Sequence, residues 1–162
     1  MLQIFQSLNA MSFGKLMTVY EEGNVDNAAE FYGQIDRNAG ILQAEQDFYA
    51  YLDDCFFRTE GAFYAVWVEK GEYVSALRLE PYHDGYLLEA LETAPAHRRM
   101  GFAVKLMTAV LADISVPVYS HVSKDNAASL RCHRACGFIK VSDKAEMIDG
   151  KVSDSHFTLR WH

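Results

Sequence analysis

The sequence predicts one domain of mixed α+β class, in which helices cover both faces of a mostly antiparallel sheet. Apolar residues recur at helical spacing through the first sixty residues, and a β-branched and aromatic run begins at Ala62. Three strand patterns are followed by alternating helix and strand patterns, and the chain ends in a hairpin pattern. Because no repeat, linker or low-complexity stretch interrupts the 162 residues, we expect a single domain, 1–162.

Composition excludes several classes of function. The net charge of −7, from 22 acidic and 15 basic residues, argues against a nucleic-acid binder and permits a cationic substrate. No apolar run approaches the ~20 residues of a membrane span, and Met1–Leu8 does not resemble a secretion signal. We therefore expect a cytoplasmic protein without membrane partners. Cys55, Cys132 and Cys136 imply neither a disulfide framework nor a metal site.

The first sixty residues carry helix patterns. Met1–Ser7 is either a first strand or a ragged start. Helical spacing predicts a helix over Phe13–Asp36 that is interrupted near Gly23 and Asn24, and a second helix over Leu42–Phe57.

The remaining residues, 61–162, carry the sheet. Strands are predicted at Ala62–Val68, Tyr73–Leu79 and Tyr86–Thr93, with the last ended by Pro95. A helix, a buried strand and another helix follow at Gly101–Ile114, Val116–Val122 and Asp125–Cys136, with Gly137 as the helix cap. The final strands, Phe138–Ile148 and Val152–Trp161, flank Asp149-Gly150, which is a hairpin signal.

The loop between Pro95 and the next helix is predicted to bind an anion. The first amides of a helix have no internal partners, and the positive end of the helix dipole lies behind them. Gly101 and Ala103 lack bulk, so a ligand can approach the backbone, and Arg98 and Arg99 add positive charge. The loop matches neither the Walker pattern nor GxGxxG, which disfavours a nucleoside-triphosphate enzyme or a dehydrogenase.

Two motifs in this half of the chain resemble one family. Pro95-x-x-Arg98-x-x-Gly101-x-Ala103 resembles the coenzyme A pyrophosphate loop of the GNAT superfamily of N-acetyltransferases. Asn126-x-x-Ser129, followed by Gly137-Phe138, resembles the second cofactor helix of that superfamily. The motifs occur in the family's order and separation, whereas the first sixty residues carry no recognisable motif.

The resemblance implies a roughly seven-stranded sheet that splays open near Leu91–Thr93. It also implies an N-acetyltransferase that uses acetyl-coenzyme A, without a metal, to acetylate a primary amine of a small molecule or protein by direct attack on the thioester. Residues 61–162 would bind the cofactor and residues 1–60 the acceptor, in a monomer or homodimer. The cofactor-binding residues implied are Leu91, Glu92, Thr93, Arg98, Arg99, Met100, Gly101, Phe102, Ala103, Asn126 and Ser129.

The second cofactor helix raises the question of a general acid. Asn126, Ser129 and His133 share one helical face, which the resemblance turns toward the cofactor. His133 stands where many family members carry the tyrosine that protonates the departing thiolate, so it either acts as the acid or only packs. The core side is expected to carry Ala128, Cys132, Ala135 and Cys136, which argues against Cys132 as a nucleophile.

The amine must lose a proton before it attacks the thioester. Glu89 is the first candidate for the base, because it interrupts an apolar run where several family members carry a glutamate. Glu92, expected on the opposite face of the strand, and His121 are alternatives, as is a chain of waters.

Two other functions remain open at this point. A module of the same fold could bind acetyl-coenzyme A as a sensor without catalysis, and an unrelated interaction protein could carry the arginine loop by chance. Five acidic residues are candidates for a cationic-acceptor pocket, although solvated helix faces explain them equally well: Glu21, Glu22, Asp47, Asp53 and Asp54.

Overall fold

The structure is a computed structural model that describes residues 1–162. Its strands are β1 (Leu2–Phe5), β2 (Phe63–Glu69), β3 (Glu72–Tyr82), β4 (Gly85–Thr93), β5 (Val118–Ser123), β6 (Ile139–Ser142), β7 (Ala145–Glu146), β8 (Val152–Ser153) and β9 (His156–Trp161). Its helices are α1 (Phe13–Val19), α2 (Glu21–Tyr32), α3 (Arg37–Asp54), α4 (Phe102–Leu111) and α5 (Ala127–Ala135).

Seven strands form one sheet in the order β1-β2-β3-β4-β5-β9-β6, and β7 pairs with β8 separately. Within the main sheet only β4 and β5 are parallel neighbours, as the strand–helix–strand pattern requires. One core lies between the sheet and α1–α3, and the other lies between the sheet and α4–α5. The predicted class, a mostly antiparallel sheet with helices on both faces, is therefore confirmed.

The helix boundaries differ from the prediction. The first long helix breaks at Tyr20, not near Gly23 and Asn24, because the Tyr20 ring turns inward and is only 6% exposed. The next helix begins before Leu42, since the Asp36 side chain accepts hydrogen bonds from the amides of Asn38 and Ala39 and caps it.

The two predicted C-terminal strands are each divided in two. The first is broken between β6 and β7, and the second between β8 and β9. The Asp149-Gly150 turn does form, with Gly150 at φ +81° and its amide donating to the Met147 carbonyl at 2.9 Å. Turn chemistry therefore predicted the reversal, whereas strand length depended on which partners the sheet offered.

The sheet opens between β4 and β5. Their parallel pairing covers only Tyr86–Leu88 opposite Val118–Ser120. Beyond Leu88, β4 continues to pair with β3, while β5 continues to pair with β9. The splay expected near Leu91–Thr93 is therefore present, and it leaves one edge of β4 without a strand partner.

Gly85 is required where the two strands meet. A Cβ atom there would lie 1.8 Å from the Pro117 carbonyl oxygen, which accepts a hydrogen bond from the Tyr86 amide at 3.0 Å. A side chain at Gly85 would therefore push β4 and β5 apart at the base of the opening.

Candidate active site

A β-bulge at the opening determines where the acidic side chains of β4 lie. Glu89 pairs with Arg78 and Glu92 pairs with Ala76, so two residues of β4, Ala90 and Leu91, occupy the space opposite one residue of β3. Ala90 takes a φ of +51° at this point. Because Ala76 and Arg78 share a face of β3, Glu89 and Glu92 also share a face. The expectation that Glu92 lies on the opposite face is therefore wrong.

One cavity, here called the loop cavity, lies at the opening between β4 and the N-terminal ends of α2, α4 and α5. Its volume is about 440 Å³. It is lined by Glu22, Gly23, Asp26, Leu91, Glu92, Thr93, Arg98, Ala103, Asn126, Ala128, Ser129 and Cys132. It thus brings together residues of both sequence motifs and the end of β4.

The main-chain amides of the arginine loop are free of protein partners. No hydrogen bond within the protein is made by the amides from Arg99 to Val104. Gly101 has a φ of +79°, and α4 starts directly after it. Consecutive free amides at a helix start form an anion-binding concavity, so the loop has the geometry that a phosphate group requires.

The remaining loop residues contribute backbone more than side chain. Arg99, Met100, Gly101 and Phe102 do not line the loop cavity. Met100 is 59% exposed, and the Phe102 ring is buried in the protein. A ligand held at this loop would therefore meet their amides rather than their side chains.

Arg98 crosses the rim of the loop cavity. Its Nε donates to the Thr93 carbonyl at 3.2 Å, and its Nη1 pairs with the Glu22 carboxylate at the start of α2. The contact joins the arginine loop to the helical first part of the chain. Glu22, one of the five acidic candidates, therefore lies at this site, whereas Asp53 and Asp54 line neither cavity.

Helix α5 presents part of the predicted face to the loop cavity, because Asn126 and Ser129 line it but His133 does not. The Asn126 side chain caps the helix by accepting from the Ser129 amide at 3.0 Å. Ala128 and Ala135 are exposed rather than buried. Cys132 packs against the core on the α4–α5 side of the sheet, as predicted, and also lines the cavity. Burial raises the pKa of its thiol to about 11, and a neutral thiol is a poor nucleophile.

His133 lies on the buried side of α5 and lines neither cavity. It is 2% exposed, and its ring packs edge-on against Phe138 at a centroid distance of 5.0 Å. Its Nδ1 lies 2.8 Å from the Ser129 carbonyl oxygen, which only a protonated Nδ1 can satisfy, and its Nε2 has no partner. Burial lowers the pKa of this imidazole, so the ring is held neutral.

A second cavity, here called the aromatic cavity, lies between α1–α3 and the face of β3 and β4 that carries Glu92. Its volume is about 470 Å³. It is lined by Tyr20, Gly23, Asn24, Asn27, Phe31, Tyr32, Ala44, Asp47, Phe48, Tyr51, Arg78, Ala90 and Glu92. The sequence had indicated only Asp47 and Glu92, since side chains from four elements, and Tyr20 between α1 and α2, meet here without a contiguous motif.

Glu92 lines both cavities, and so does Gly23 of α2. Burial raises the pKa of the Glu92 carboxyl above its ordinary value, although the Arg98 cation opposes the shift. A Cβ atom on Gly23 would lie 3.0 Å from the Glu92 Oε1, so the glycine makes room for the carboxylate. Glu92 is thus a partly desolvated acid at the junction of the two cavities.

Glu89 lies elsewhere on the same face. Its Oε2 is 3.4 Å from the Arg78 Nε, and it lines neither cavity. Next to it, burial and the neighbouring Glu89 carboxyl raise the pKa of Glu80 to about 7. Glu89 is therefore part of a small cluster of two acids around Arg78.

His121 lies on β5, past the point where β5 leaves β4. Its Nε2 is 3.4 Å from the Tyr82 hydroxyl oxygen, and its Nδ1 is buried without a partner. Burial lowers the pKa of His121, and it lines neither cavity.

No group of three or more His, Cys, Asp or Glu residues is arranged to hold a metal ion. No helix is long and apolar enough to cross a membrane.

Solved structures with the same fold are numerous. An N-acetyltransferase of Staphylococcus aureus superposes with a TM-score of 0.66 at 15% identity, covering 98% of both chains. The PaiA N-acetyltransferase of Thermoplasma acidophilum, in complex with coenzyme A, has a TM-score of 0.63 at 12% identity and covers 99% of this chain and 98% of its own. An acetyltransferase of Streptococcus agalactiae has a TM-score of 0.65 at 14% identity, with 98% and 96% covered.

Sequence comparison gives the family directly. No curated protein sequence matches the chain. Residues 27–138 match the acetyltransferase (GNAT) family, and this match includes β2–β4, both sequence motifs and the junction at Glu92. The chain therefore belongs to the acetyltransferase (GNAT) family.

Proposed function

We propose that this protein is an N-acetyltransferase that takes the acetyl group of acetyl-coenzyme A, bound at the loop cavity, and transfers it to a primary amine bound in the aromatic cavity. The observation that carries the proposal is that the two cavities meet at the open end of β4 and share Glu92. A thioester and an amine that enter from the two sides would meet beside a carboxylate.

The cofactor end of the proposal depends on the arginine loop. The free amides from Arg99 to Val104 would hold the diphosphate, as the family resemblance implies. The edge of β4 beyond Leu88 has no strand partner, so its main-chain groups are available to the pantetheine arm and to the thioester carbonyl. Asn126 and Ser129 line the same cavity on its α5 side.

The reaction needs one proton acceptor and no covalent enzyme intermediate. The amine nitrogen attacks the thioester carbon, a C–N bond forms, the C–S bond breaks, and the thiolate leaves and takes a proton from solvent. An alkylammonium ion has a pKa near 10.4, so about one molecule in two thousand is free base at neutral pH. A carboxylate with a raised pKa is a suitable acceptor for the proton that the amine loses.

Glu92 is the base that the geometry favours. It lies at the cavity junction, whereas Glu89 is held by Arg78 and His121 is held near Tyr82, both outside the two cavities. The sequence argument ranked Glu89 first because it interrupts an apolar run where several family members carry a glutamate, and it expected Glu92 on the opposite face. The bulge at Ala90 supports the reversed order.

No protein acid is assigned to the leaving thiolate. His133 carries its proton on Nδ1, directed at the Ser129 carbonyl, and its Nε2 has no proton to give. A thiolate is a good leaving group, so solvent suffices as the proton donor. A structural role for His133, in packing against Phe138, accounts for its burial.

The test is a titration and an assay on the intact protein. Acetyl-coenzyme A should bind in calorimetry, and thiol release should accelerate when a primary amine is added, with the acetylated amine identified by mass spectrometry. Binding without amine-dependent thiol release from any amine would favour a sensor over an enzyme. Failure to bind any coenzyme A thioester at high micromolar concentration would overturn the proposal.

A further inference from the structure

We propose that the acceptor is a primary amine joined by a short carbon chain to a flat apolar body, such as a phenyl ring, with no carboxylate on the carbon that carries the amine. The inference rests on the proposed function, because it assigns the acceptor of the same reaction. It is carried by the walls of the aromatic cavity, its charges and the position of Glu92.

The walls are mainly aromatic rings. Five of the lining residues are Tyr20, Phe31, Tyr32, Phe48 and Tyr51. Phe31 is 62% exposed although it is a phenylalanine, so its ring leaves apolar surface uncovered beside the cavity. The volume of about 470 Å³ is that of a small-molecule site. A flat apolar body would cover these rings, whereas a polar body would leave them in contact with polar groups.

The charges of the cavity favour a cation. Only Asp47, Arg78 and Glu92 are charged among the lining residues, so the acids outnumber the base. The Asp47 carboxylate accepts from the Tyr32 hydroxyl and, at 3.0 Å, from the Gln43 Nε2. An ammonium group would gain from both carboxylates and from the faces of the surrounding rings.

Arg78 does not offer a free cation to a substrate carboxylate. Its Nε is directed at the Glu89 carboxylate at 3.4 Å, and its guanidinium lies over the Tyr51 and Phe56 rings at 4.9 and 5.6 Å. A carboxylate next to the reacting amine would also lie near Glu92, so it would lose hydration without gaining an unopposed cation.

We expect the carbon chain between the amine and the ring of the acceptor to be short, because an aromatic wall of the cavity lies next to the bulge in β4. The Tyr20 hydroxyl donates to the Ala90 carbonyl at 2.6 Å, which fixes this ring beside the bulge and two residues from Glu92. Tyr20 also packs edge-on against Phe48 at 5.4 Å. Tyr20 and Phe48 therefore place aromatic rings next to the bulge that precedes Glu92, which favours a short chain between the amine and the flat body.

Three amines separate these features. 2-Phenylethylamine has the proposed form, phenylalanine adds a carboxylate to the same body, and glucosamine has a polar ring in place of the phenyl. We expect kcat/KM for 2-phenylethylamine to exceed that for glucosamine by about tenfold or more, the range expected for burying one aromatic side group. It should also exceed that for phenylalanine, because the added carboxylate would lose hydration without gaining an unopposed cation. Equal or reversed preference would overturn the inference.

Failure of this inference can be told apart from failure of the proposed function. If none of the three accelerates thiol release but another primary amine does, the transferase proposal stands and the acceptor inference fails; if no primary amine does, the transferase proposal fails. The cavity inference is then still decided by calorimetric titration of the three amines into the protein saturated with coenzyme A, where 2-phenylethylamine should bind most tightly. If glucosamine or phenylalanine is acetylated best, the transferase proposal stands and the acceptor class is wrong.

A pair of variants connects the preference to the cavity wall. Phe31→Ala should raise the KM for 2-phenylethylamine about fivefold and leave the KM for glucosamine unchanged. Ile35→Ala is the control, because Ile35 is 46% exposed near the end of the same helix but lines neither cavity, and it should change neither constant. A similar effect of both substitutions would contradict the assignment of the wall.

Discussion

The two cavities that meet at Glu92 are built in different ways. The loop cavity depends on main-chain amides, a positive-φ glycine and a helix start that lie within a few residues of one another. The aromatic cavity depends on side chains from α2, α3, β3 and β4 and on Tyr20 between α1 and α2, which are far apart in the chain. A site made of backbone leaves a short sequence motif, whereas a site made of distant side chains leaves none.

The comparison is tested most strongly at the residue that the cavities share. Glu92→Gln should lower kcat about 100-fold, since a positioned base contributes about 10²–10⁴-fold, and should leave the affinity for acetyl-coenzyme A almost unchanged. Because burial raises the Glu92 pKa, wild-type kcat/KM should fall as the pH drops through that pKa, and the variant should lack this acidic limb. Steady-state kinetics over a pH series measure both effects.

Glu89→Gln is the matched control for this prediction, because it makes the same chemical change three residues away on the same face. We expect kcat to fall less than about tenfold, since Glu89 lies outside the cavities. A larger loss of kcat with Glu89→Gln than with Glu92→Gln would mean that Glu89, not Glu92, is the base.

The dependence of the loop cavity on backbone is tested at Gly101. Its φ of +79° costs a residue with a side chain about 1–2 kcal/mol, so Gly101→Ala should weaken acetyl-coenzyme A binding by about 5- to 30-fold in calorimetry. Gly71→Ala is the control, because Gly71 has a φ of +82° in the turn between β2 and β3 and lines neither cavity. It should lower the free energy of unfolding similarly without changing the affinity, and equal affinities in the two variants would mean that the loop backbone does not hold the cofactor.

The contact between α2 and the junction is tested at Gly23. In Gly23→Ala the new Cβ would lie 3.0 Å from the Glu92 Oε1 and must displace that carboxylate slightly. We expect kcat to fall about three- to tenfold, because a displacement of about 1 Å can cost 100-fold. Stability should not fall, since alanine favours a helix over glycine by about 1 kcal/mol. Gly14→Ala is the control, because a Cβ atom there meets open space, and it should leave kcat unchanged. An unchanged kcat in Gly23→Ala would mean that the packing of α2 against Glu92 does not matter for the reaction.

The smallest expected effect concerns the acids around Arg78, which we assign to stability rather than catalysis. The Glu80 pKa is about 7 in the folded protein against an ordinary value of 4.5, so the folded state binds this proton more tightly. The resulting stabilisation is complete below the ordinary value and is lost as the pH rises through about 7.

Glu80→Gln should therefore gain about 1 kcal/mol in free energy of unfolding relative to the wild type between about pH 5 and about pH 8. Urea denaturation at both pH values measures this, and Glu72→Gln, an exposed position on the same strand, should show no such change. A difference in stability between Glu80→Gln and the wild type that does not change with pH would contradict the raised Glu80 pKa.

Much of the fold followed from local patterns. The order of strands and helices, the parallel crossover around α4 and the opening at the end of β4 were predicted, because periodicity and the family motifs both lie in contiguous sequence. The break at Tyr20 was not predicted, since it depends on a ring that turns toward Ala90, seventy positions along the chain. The length of β6 and β9 likewise depended on pairing between distant segments.

In the candidate site, too, features formed by neighbouring residues were predicted, whereas those that depend on distant residues were not. The arginine loop and the pairing of Asn126 with Ser129 on one side of α5 were readable, because the residues involved are neighbours in sequence. The position of His133 was not, because the sequence shows which residues share a helix face but not which way that face points once the helix packs on the sheet.

The sequence by itself determined the class of fold, the anion-binding loop and the family, because each depends on interactions between residues close in the chain. Only the tertiary structure placed Glu92, rather than Glu89, at the junction of the two cavities and brought the aromatic side chains together around it. One extra residue in β4 reverses the alternation of side chains, and that bulge exists only because β3 pairs with β4 on one side and β5 leaves it on the other.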